Sequence, residues 1–110
     1  MVTLIVDAEN VRRSTWPNIP EHELVELVRD WGAREGLAPL IVFDGRAPVD
    51  ADDVVGTGPE SADDWIVREA GAYVPFWLVT SDRELRERVG DSAKRVLGGG
   101  SFVRELRETE

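Results

Sequence analysis

The 110-residue sequence has no cysteine, a single histidine and no long apolar run. Without cysteine, disulfide frameworks, thiolate-bound zinc or iron–sulfur sites and thiol nucleophiles are excluded. His22 falls in the first turn of a predicted helix, where we expect a solvated surface residue rather than the base of a Ser-His-Asp triad. The apolar runs are far below the roughly 20 residues of a membrane helix, and no basic leader precedes the first of them. We therefore expect a soluble, cytoplasmic protein with no membrane partner.

Basic residues are outnumbered by acidic ones, and the net charge is −9 at pH 7. This charge argues against broad attraction to nucleic acid or to anionic membranes, so a polyanion partner needs a local basic patch. Nearly all the basic residues are arginines, which suit bidentate phosphate contacts. Ion pairing with the abundant glutamates on helix surfaces is the alternative explanation for them.

Short apolar segments alternate with amphipathic ones along the chain. The predicted strands are Val2–Val6, Leu40–Phe43, Phe76–Val79 and Arg95–Leu97. The predicted helices begin at Pro20, Ser61, Ser81 and Ser101, with loops over 9–19 and 45–59. Strands that alternate with helices form a parallel sheet through right-handed crossovers. We therefore predict one domain over residues 1–110, a three-layer α/β/α fold with a mostly parallel sheet of about four strands.

Acidic residues stand where the predicted strands end. Asp7, Asp44 and Asp82 follow the first three strands, and Asp63-Asp64 opens the helix before the third. The carboxyl ends of parallel strands share one edge of the sheet, where ligands bind in such folds, so we expect these side chains to meet there. Taken singly, the other acids have a simpler explanation, because first-turn acids stabilise the helix dipole and Asp-Gly pairs favour turns. Asp7 is harder to explain in this way, because it has no helix start of its own to cap in the predicted assignment.

The joint presence of several carboxylates in one crevice predicts more than capping. Such groups repel one another, and protonation or a divalent cation relieves the repulsion. Oxygen ligands without histidine or cysteine suit Mg²⁺ or Mn²⁺. These ions activate water and stabilise charge on the attacking and leaving oxygens of a phosphodiester. The pattern therefore favours metal-assisted phosphodiester hydrolysis.

Several motifs together carry a family resemblance. They are Val6-Asp7-Ala8-Glu9-Asn10-Val11 followed by Trp16-Pro17, Val42-Phe43-Asp44-Gly45, Glu60-Ser61-Ala62-Asp63-Asp64-Trp65-Ile66, Val79-Thr80-Ser81-Asp82-Arg83 and Gly99-Gly100-Ser101-Phe102. In this order, over nearly the whole chain, the sequence resembles the NYN domain in its YacP-like branch, a group of PIN-like ribonucleases. The resemblance implies a PIN-like α/β fold whose clustered acids bind Mg²⁺ or Mn²⁺ and cleave RNA.

The resemblance also implies roles for individual residues. Asp7, Asp63 and Asp82 match the family's metal-binding acids, and Asn10 matches its motif asparagine. Asp64 falls where that helix often has a second acid. The expected catalytic residues are thus Asp7, Asn10, Asp63, Asp64 and Asp82. Asp44, at a position that is often acidic in this branch, joins Asp7, Asp63 and Asp82 in the expected metal site.

Substrate contacts are expected beside these acids. The candidates are Arg12, Arg13, Arg46 and Arg83 for phosphates, Ser81 for orienting ligands or substrate, and Trp16 for a base. Trp16 lies in a loop close to Asp7 and is suited to stacking on a base, with anchoring of that loop as the alternative. Glu9 departs from the family pattern, which usually has an apolar or aromatic residue there, and adds negative charge beside the expected metal.

We consider three functions. The leading hypothesis is a Mg²⁺- or Mn²⁺-dependent (endo)ribonuclease that acts on RNA. The second is a non-catalytic RNA- or ribosome-associated PIN-like module. The third is a response-regulator receiver domain, since Asp7, Asp44 and Thr80 mimic its acid, phosphoacceptor and threonine. Ala8 argues against the third, because a receiver has a second acid at that position.

Overall fold

The structure is a computed structural model that describes residues 1–108. Within this range five strands form one parallel sheet: β1 (Val2–Asp7), β2 (Leu37–Phe43), β3 (Val54–Gly56), β4 (Phe76–Val79) and β5 (Arg95–Leu97). The helices are α1 (Ala8–Arg12), α2 (Glu21–Glu35), α3 (Ala62–Glu69), α4 (Arg83–Val89) and α5 (Gly99–Glu108). Short 3₁₀ turns span Ala70–Tyr73 and Gly90–Ser92.

The strands lie in the order β3-β2-β1-β4-β5, with β1 at the centre. Successive side chains of a strand point to opposite faces, and both faces of β1 are buried. Val6 packs into one cluster with Val28 of α2 and Phe102 of α5. Ile5 packs into the other with Ile66 of α3 and with residues of α4. The predicted α/β/α architecture is confirmed, and it brings the carboxyl ends of the strands to one edge.

The predicted sheet of about four strands is one strand short. β3 lies in the segment over 45–59 that we predicted as a loop, and Ile41 of β2 pairs with Val54. A three-residue edge strand among glycines, prolines and aspartates has no alternating pattern to identify it, because its pairing with β2 is a tertiary effect. β2 also begins three residues earlier than predicted. Its Pro39 precedes the part of β2 that pairs with β3, so the missing N–H disturbs no ladder there.

Two further boundaries differ from the prediction for a physical reason. The start of the predicted loop over 9–19 is the short helix α1, which isolated would be marginal and is stabilised by burial of Ala8 and Val11. α5 begins at Gly99 rather than Ser101, because Phe102 N–H donates to the carbonyl of Gly98 at 2.9 Å.

The helices predicted to begin at Ser61 and Ser81 are capped differently. Ser61 caps α3, and its hydroxyl accepts from Asp64 N–H at 3.1 Å. Asp82, not Ser81, caps α4, and its carboxylate accepts from Leu85 N–H at 3.1 Å. The Ser81 hydroxyl bonds elsewhere, as described below. Among residues 1–108, no helix combines the length and apolarity needed to cross a membrane.

Candidate active site

An open cavity of about 380 Å³ lies at the carboxyl edge of the sheet. Acidic side chains from separate parts of the chain reach it: Asp7 ends β1, Asp44 follows β2, Asp63 is in the first turn of α3 and Asp82 caps α4. The cavity is lined by Asp7, Glu9, Asn10, Arg13, Ser14, Asp44, Asp63, Ser81 and Asp82. The structure therefore brings together the acids expected to bind a metal.

Asp7 is the most deeply buried of these acids, with only 4% of its surface exposed. The pKa of its carboxyl group is raised from the ordinary 3.8 to about 7, chiefly by burial and in addition by repulsion from Asp63, Asp44 and Asp82, while a hydrogen bond from Thr80 opposes the shift. Asp7 is therefore poised between its neutral and ionised forms near neutral pH. A positive charge in the cavity would favour the ionised form.

Thr80 is a site residue whose role at this site the sequence pattern did not identify. Its hydroxyl donates to Asp7 Oδ2 at 2.9 Å and accepts from Asp82 N–H at 3.1 Å, and the residue is fully buried. Val6 of β1 pairs with Val79 of β4, which sets Thr80 beside Asp7. The sequence does show that Thr80 is a polar residue directly after a buried strand. It does not show that Thr80 bonds to Asp7, because that contact depends on β4 lying next to β1. Thr80 thus holds two acids of the site in a fixed relation.

Asp63 has a perturbed carboxyl group as well. Partial burial, repulsion from Asp82 and a hydrogen bond shared with Asp82 raise its pKa to about 6, with smaller contributions from Asp44 and Asp64. Asp44 has a structural contact, since its Oδ1 accepts from Ala62 N–H at 2.6 Å and so fixes the start of α3. The carboxylates of the site therefore influence one another electrostatically.

Asp64 is exposed and is not among the residues that line the cavity. Its carboxylate lies 3.7 Å from the guanidinium of Arg88 on α4. Its backbone N–H completes the Ser61 cap. The adjacent acids of α3 are thus in different environments, because a helix turns about 100° per residue, so Asp63 faces the cavity and Asp64 faces solvent.

Asn10 and Ser81 are bonded to the protein rather than pointing freely into the cavity. Asn10 Oδ1 accepts from Ser81 N–H at 2.8 Å, and the Ser81 hydroxyl accepts from Gly99 N–H at 2.7 Å. A Cβ on Gly99 would lie 3.1 Å from Asn10 Oδ1 and 3.3 Å from Ser81 Oγ. These contacts tie together α1, the turn after β4 and the start of α5, so the residues position the edges of the site.

Arg12 and Glu9 form a partly buried ion pair beside the cavity. Arg12 donates from Nε to the carbonyl of Ile19 at 2.7 Å and from NH1 to Glu9 Oε2 at 2.7 Å, and only 18% of its side chain is exposed. Glu9 also lies 3.5 Å from the guanidinium of Arg13. The charge of Glu9 is therefore compensated. Arg12 holds the following loop through the Ile19 carbonyl, and it is not among the residues that line the cavity.

The other predicted substrate contacts are accessible. Arg13 lines the cavity with 70% of its side chain exposed. Trp16 is 89% exposed, so it does not anchor its loop to the domain. Arg46 lines a neighbouring shallow cavity beyond Asp44, and Arg83 lines another beyond Ser81. His22 is exposed, as predicted.

No protein-family model matches the sequence, and neither does any curated protein. Among solved structures, the crystal structure of Rae1 (YacP) from Bacillus subtilis is similar, with a TM-score of 0.70 and 21% identity over 98% of this chain and 75% of that one. A single-substitution variant of the same protein gives a TM-score of 0.69 and 20% identity over 98% and 76%. The fold is YacP-like.

The YacP-like fold confirms the NYN/PIN-like resemblance at the level of architecture. It also excludes the receiver domain, in which the first strand lies between the second and the third. Here β2 lies between β1 and β3. The order of the strands that carry the acids of the cavity therefore differs from the strand order of a receiver domain.

The donor groups in the cavity have the chemistry of a Mg²⁺ or Mn²⁺ site. They are carboxylate oxygens, with amide and hydroxyl oxygens beside them, which hard cations prefer. Within the described residues, however, no group of three or more acidic or histidine side chains is spaced to hold an ion. Asp44 and Asp82 each have an oxygen bonded to a helix-start N–H. The carboxylates are thus near enough to shift pKa values but do not form a finished coordination shell.

Proposed function

We propose that the protein is a metal-dependent ribonuclease that hydrolyses RNA phosphodiester bonds at the acidic cavity. The observation that carries the proposal is the convergence of Asp7, Asp63 and Asp82 on one cavity, with the pKa of Asp7 raised to about 7. Burying carboxylates that repel one another lowers the stability of the fold. Such a cluster is therefore more typical of a functional site, where the negative charge binds a cation, than of a purely structural one. The YacP-like fold adds support to an RNA-related role for the chain.

Asp7, Asp63 and Asp82 would hold Mg²⁺ or Mn²⁺, with Asp44 beside them. When bound, such an ion supplies Lewis-acid stabilisation of phosphate oxygens and a more acidic water. Thr80 keeps the Asp7 carboxylate oriented, since its hydroxyl bonds to one Asp7 oxygen and leaves the other available. Asp63 and Asp82 share a hydrogen bond that a cation would replace. The residues around the cavity thus orient acceptor oxygens before substrate arrives.

The substrate contacts that we propose are Arg13 and Trp16 on one side of the cavity. Arg13 lines the cavity and is mostly exposed, so it can reach a phosphate oxygen. The loop that carries Trp16 is held by Arg12, which bonds to the Ile19 carbonyl, while the Ser14 hydroxyl donates to the carbonyl of Val11 at 2.6 Å. A fixed loop with an exposed indole is suited to stacking on a base. Arg46 and Ser81 border the same surface.

The test compares two adjacent acids that carry the same charge and differ in what they face. With Mn²⁺ or Mg²⁺ and a labelled RNA, Asp63→Asn should lower kcat/KM by about 100-fold or more, because it replaces a charged carboxylate of the cavity with a neutral amide, a weaker cation ligand. Asp64→Asn, on the exposed face, should stay within about 3-fold of the unsubstituted protein, since surface substitutions have small effects. Gel-resolved cleavage time courses measure both.

Two outcomes would contradict the proposal. Equal activity of the two variants would separate cleavage from the cavity. RNA binding that survives EDTA, with no cleavage under any metal, would instead identify the non-catalytic RNA- or ribosome-associated module as the function.

A further inference from the structure

A second cavity of about 490 Å³ adjoins the acidic one. Ser81 lines both, so the two cavities meet at the turn between β4 and α4. The second cavity contains the guanidinium-bearing residues Arg83 and Arg86, one turn apart on the same face of α4. A chain that occupied the acidic cavity and continued past Ser81 would therefore meet these arginines next.

Arg83 and Arg86 are exposed on α4, and they form no ion pair in the part of the chain that the structure describes. Within residues 1–108, neither has a carboxylate within 4.0 Å, although Arg88 of the same helix pairs with Asp64 and Glu84. Arg12, Arg29 and Arg68 are likewise bound to carboxylates. Unpaired guanidinium groups in an acidic protein indicate a surface suited to an anionic ligand.

We propose that Arg83 and Arg86 form a phosphate-binding subsite for the RNA backbone, next to the phosphate that is cleaved. This inference rests on the proposed ribonuclease function, because the acidic cavity supplies the position of the cleaved phosphate. The subsite also offsets a difficulty, since a net charge of −9 and a carboxylate cavity both repel RNA. Local arginines beside the carboxylates provide the attraction that the molecule as a whole lacks.

Glu87 and Asp91 line the same cavity. Removing the negative charge of Glu87 should therefore have the opposite effect on RNA affinity from removing the positive charges of Arg83 and Arg86. If phosphate enters the cavity, the Glu87 carboxylate repels it, and Glu87→Gln should tighten RNA binding. If Arg83 instead serves only as a surface partner of Glu87 on the helix, Glu87→Gln should leave RNA binding unchanged.

The experiment measures the affinity of a fluorescein-labelled, 2′-O-methyl single-stranded RNA by anisotropy over a series of salt concentrations. Arg83→Gln/Arg86→Gln should weaken binding about 10- to 100-fold at low salt and reduce the slope of log K against log salt by about 1.4, as expected for two lost phosphate contacts. In cleavage assays the same variant should raise KM and leave kcat near its original value.

A matched control removes the same charge elsewhere. Lys94 precedes β5 and so lies at the amino-terminal edge of the sheet, opposite the two cavities. Arg104 of α5 donates to the Ser101 hydroxyl at 3.4 Å. At about 0.15 M salt, where exposed charges are screened over about 8 Å, Lys94→Gln/Arg104→Gln should change the RNA affinity by less than about 3-fold, since neither residue lines either cavity. Equal losses in the two double variants would overturn the subsite, because the effect would then reflect net charge.

Failure of the subsite and failure of the ribonuclease proposal give different results. Cleavage by the unsubstituted protein, with unchanged RNA affinity in Arg83→Gln/Arg86→Gln, overturns the subsite and leaves the ribonuclease intact. No cleavage under either metal, with affinity lost in that variant, overturns the ribonuclease and keeps the phosphate contacts. Absence of RNA binding by the unsubstituted protein overturns the subsite.

Discussion

The carboxyl group of Asp7 is subject to opposing requirements. Burial at the end of β1 disfavours its charge, yet the proposed chemistry needs that charge. Thr80 supplies the one side-chain hydrogen bond that favours ionisation of Asp7. Active sites commonly hold groups that reduce stability in this way. Replacing the Asp7 carboxyl group with a neutral one should therefore stabilise the fold and abolish the proposed activity.

We predict that Asp7→Asn stabilises the protein, and that the gain depends on pH. In the folded state the pKa of Asp7 is about 7 rather than 3.8, so the folded protein binds the proton more tightly than the unfolded chain. The contribution of Asp7 to stability is therefore full below pH 3.8 and is lost as pH rises to about 7. At pH 8, in EDTA, the free energy of unfolding of the variant should exceed that of the unsubstituted protein by about 2 to 4 kcal/mol.

Urea denaturation at pH 4 and pH 8 measures this difference. Near pH 4 the gain should shrink to less than about 1 kcal/mol, since the buried carboxyl group is then neutral. Asp64→Asn, the same change on an exposed side chain, should alter stability by less than about 0.5 kcal/mol at either pH. A stability gain of Asp7→Asn that is the same at both pH values would contradict the prediction, because it would mean that the Asp7 carboxyl group is ionised throughout.

The turn from β5 into α5 shows how an element can shape a site that it does not itself line. Gly99 begins α5 against Asn10 and Ser81, and an added Cβ would meet both at distances tighter than ordinary contact. Gly100, the next residue of the same helix, has no atom within 4 Å of its Cβ position. The two neighbouring glycines thus differ in whether there is room for a side-chain methyl group.

We predict opposite effects of alanine at these glycines. Gly100→Ala should raise the free energy of unfolding by about 0.5 to 1 kcal/mol, because alanine is the better helix former. Gly99→Ala should forgo that gain and lower RNA cleavage about 10-fold, since Asn10 and Ser81 must shift to admit the methyl group. Thermal denaturation and cleavage assays on the pair check this. Matching activities of the two variants would refute a positioning role for Gly99.

Elements whose apolar pattern reflects their own burial were predictable from the sequence. β1 and β4 are continuous apolar runs, and α2 has an apolar face that ends at Gly36. β3 and α1 were missed, because each is short and owes its existence to partners elsewhere in the chain. The capping of α4 by Asp82 rather than Ser81 also depends on tertiary contacts, since Gly99 N–H occupies the Ser81 hydroxyl.

The candidate site was predictable to a similar extent. The position of an acid after a strand indicates which edge of the sheet it reaches, so the meeting of Asp7, Asp63 and Asp82 followed from the strand pattern. The pattern did not distinguish Arg12, which is bound to Glu9 and Ile19, from Arg13, which is mostly exposed. Adjacent residues on one helix turn differ in what they face, and that depends on packing.

The molecule as a whole carries its charge unevenly. With a net charge of −9, it places four aspartates in one cavity, and Arg83 and Arg86 together with Glu87 and Asp91 in the cavity beside it. An acidic surface elsewhere limits non-specific binding to polyanions, so affinity for RNA would depend on this edge of the sheet. Both proposals therefore concern the carboxyl edge of the sheet.

Diffraction from crystals soaked in Mn²⁺, with the anomalous signal of manganese, tests the proposed metal site most directly. We predict an anomalous peak in the acidic cavity, within about 2.0 to 2.4 Å of carboxylate oxygens of Asp7, Asp63 and Asp82. The peak should be absent from Asp63→Asn crystals and present in Asp64→Asn crystals. Crystals of the unsubstituted protein with no peak in this cavity at millimolar Mn²⁺, or with a peak only at other sites, would contradict the proposal.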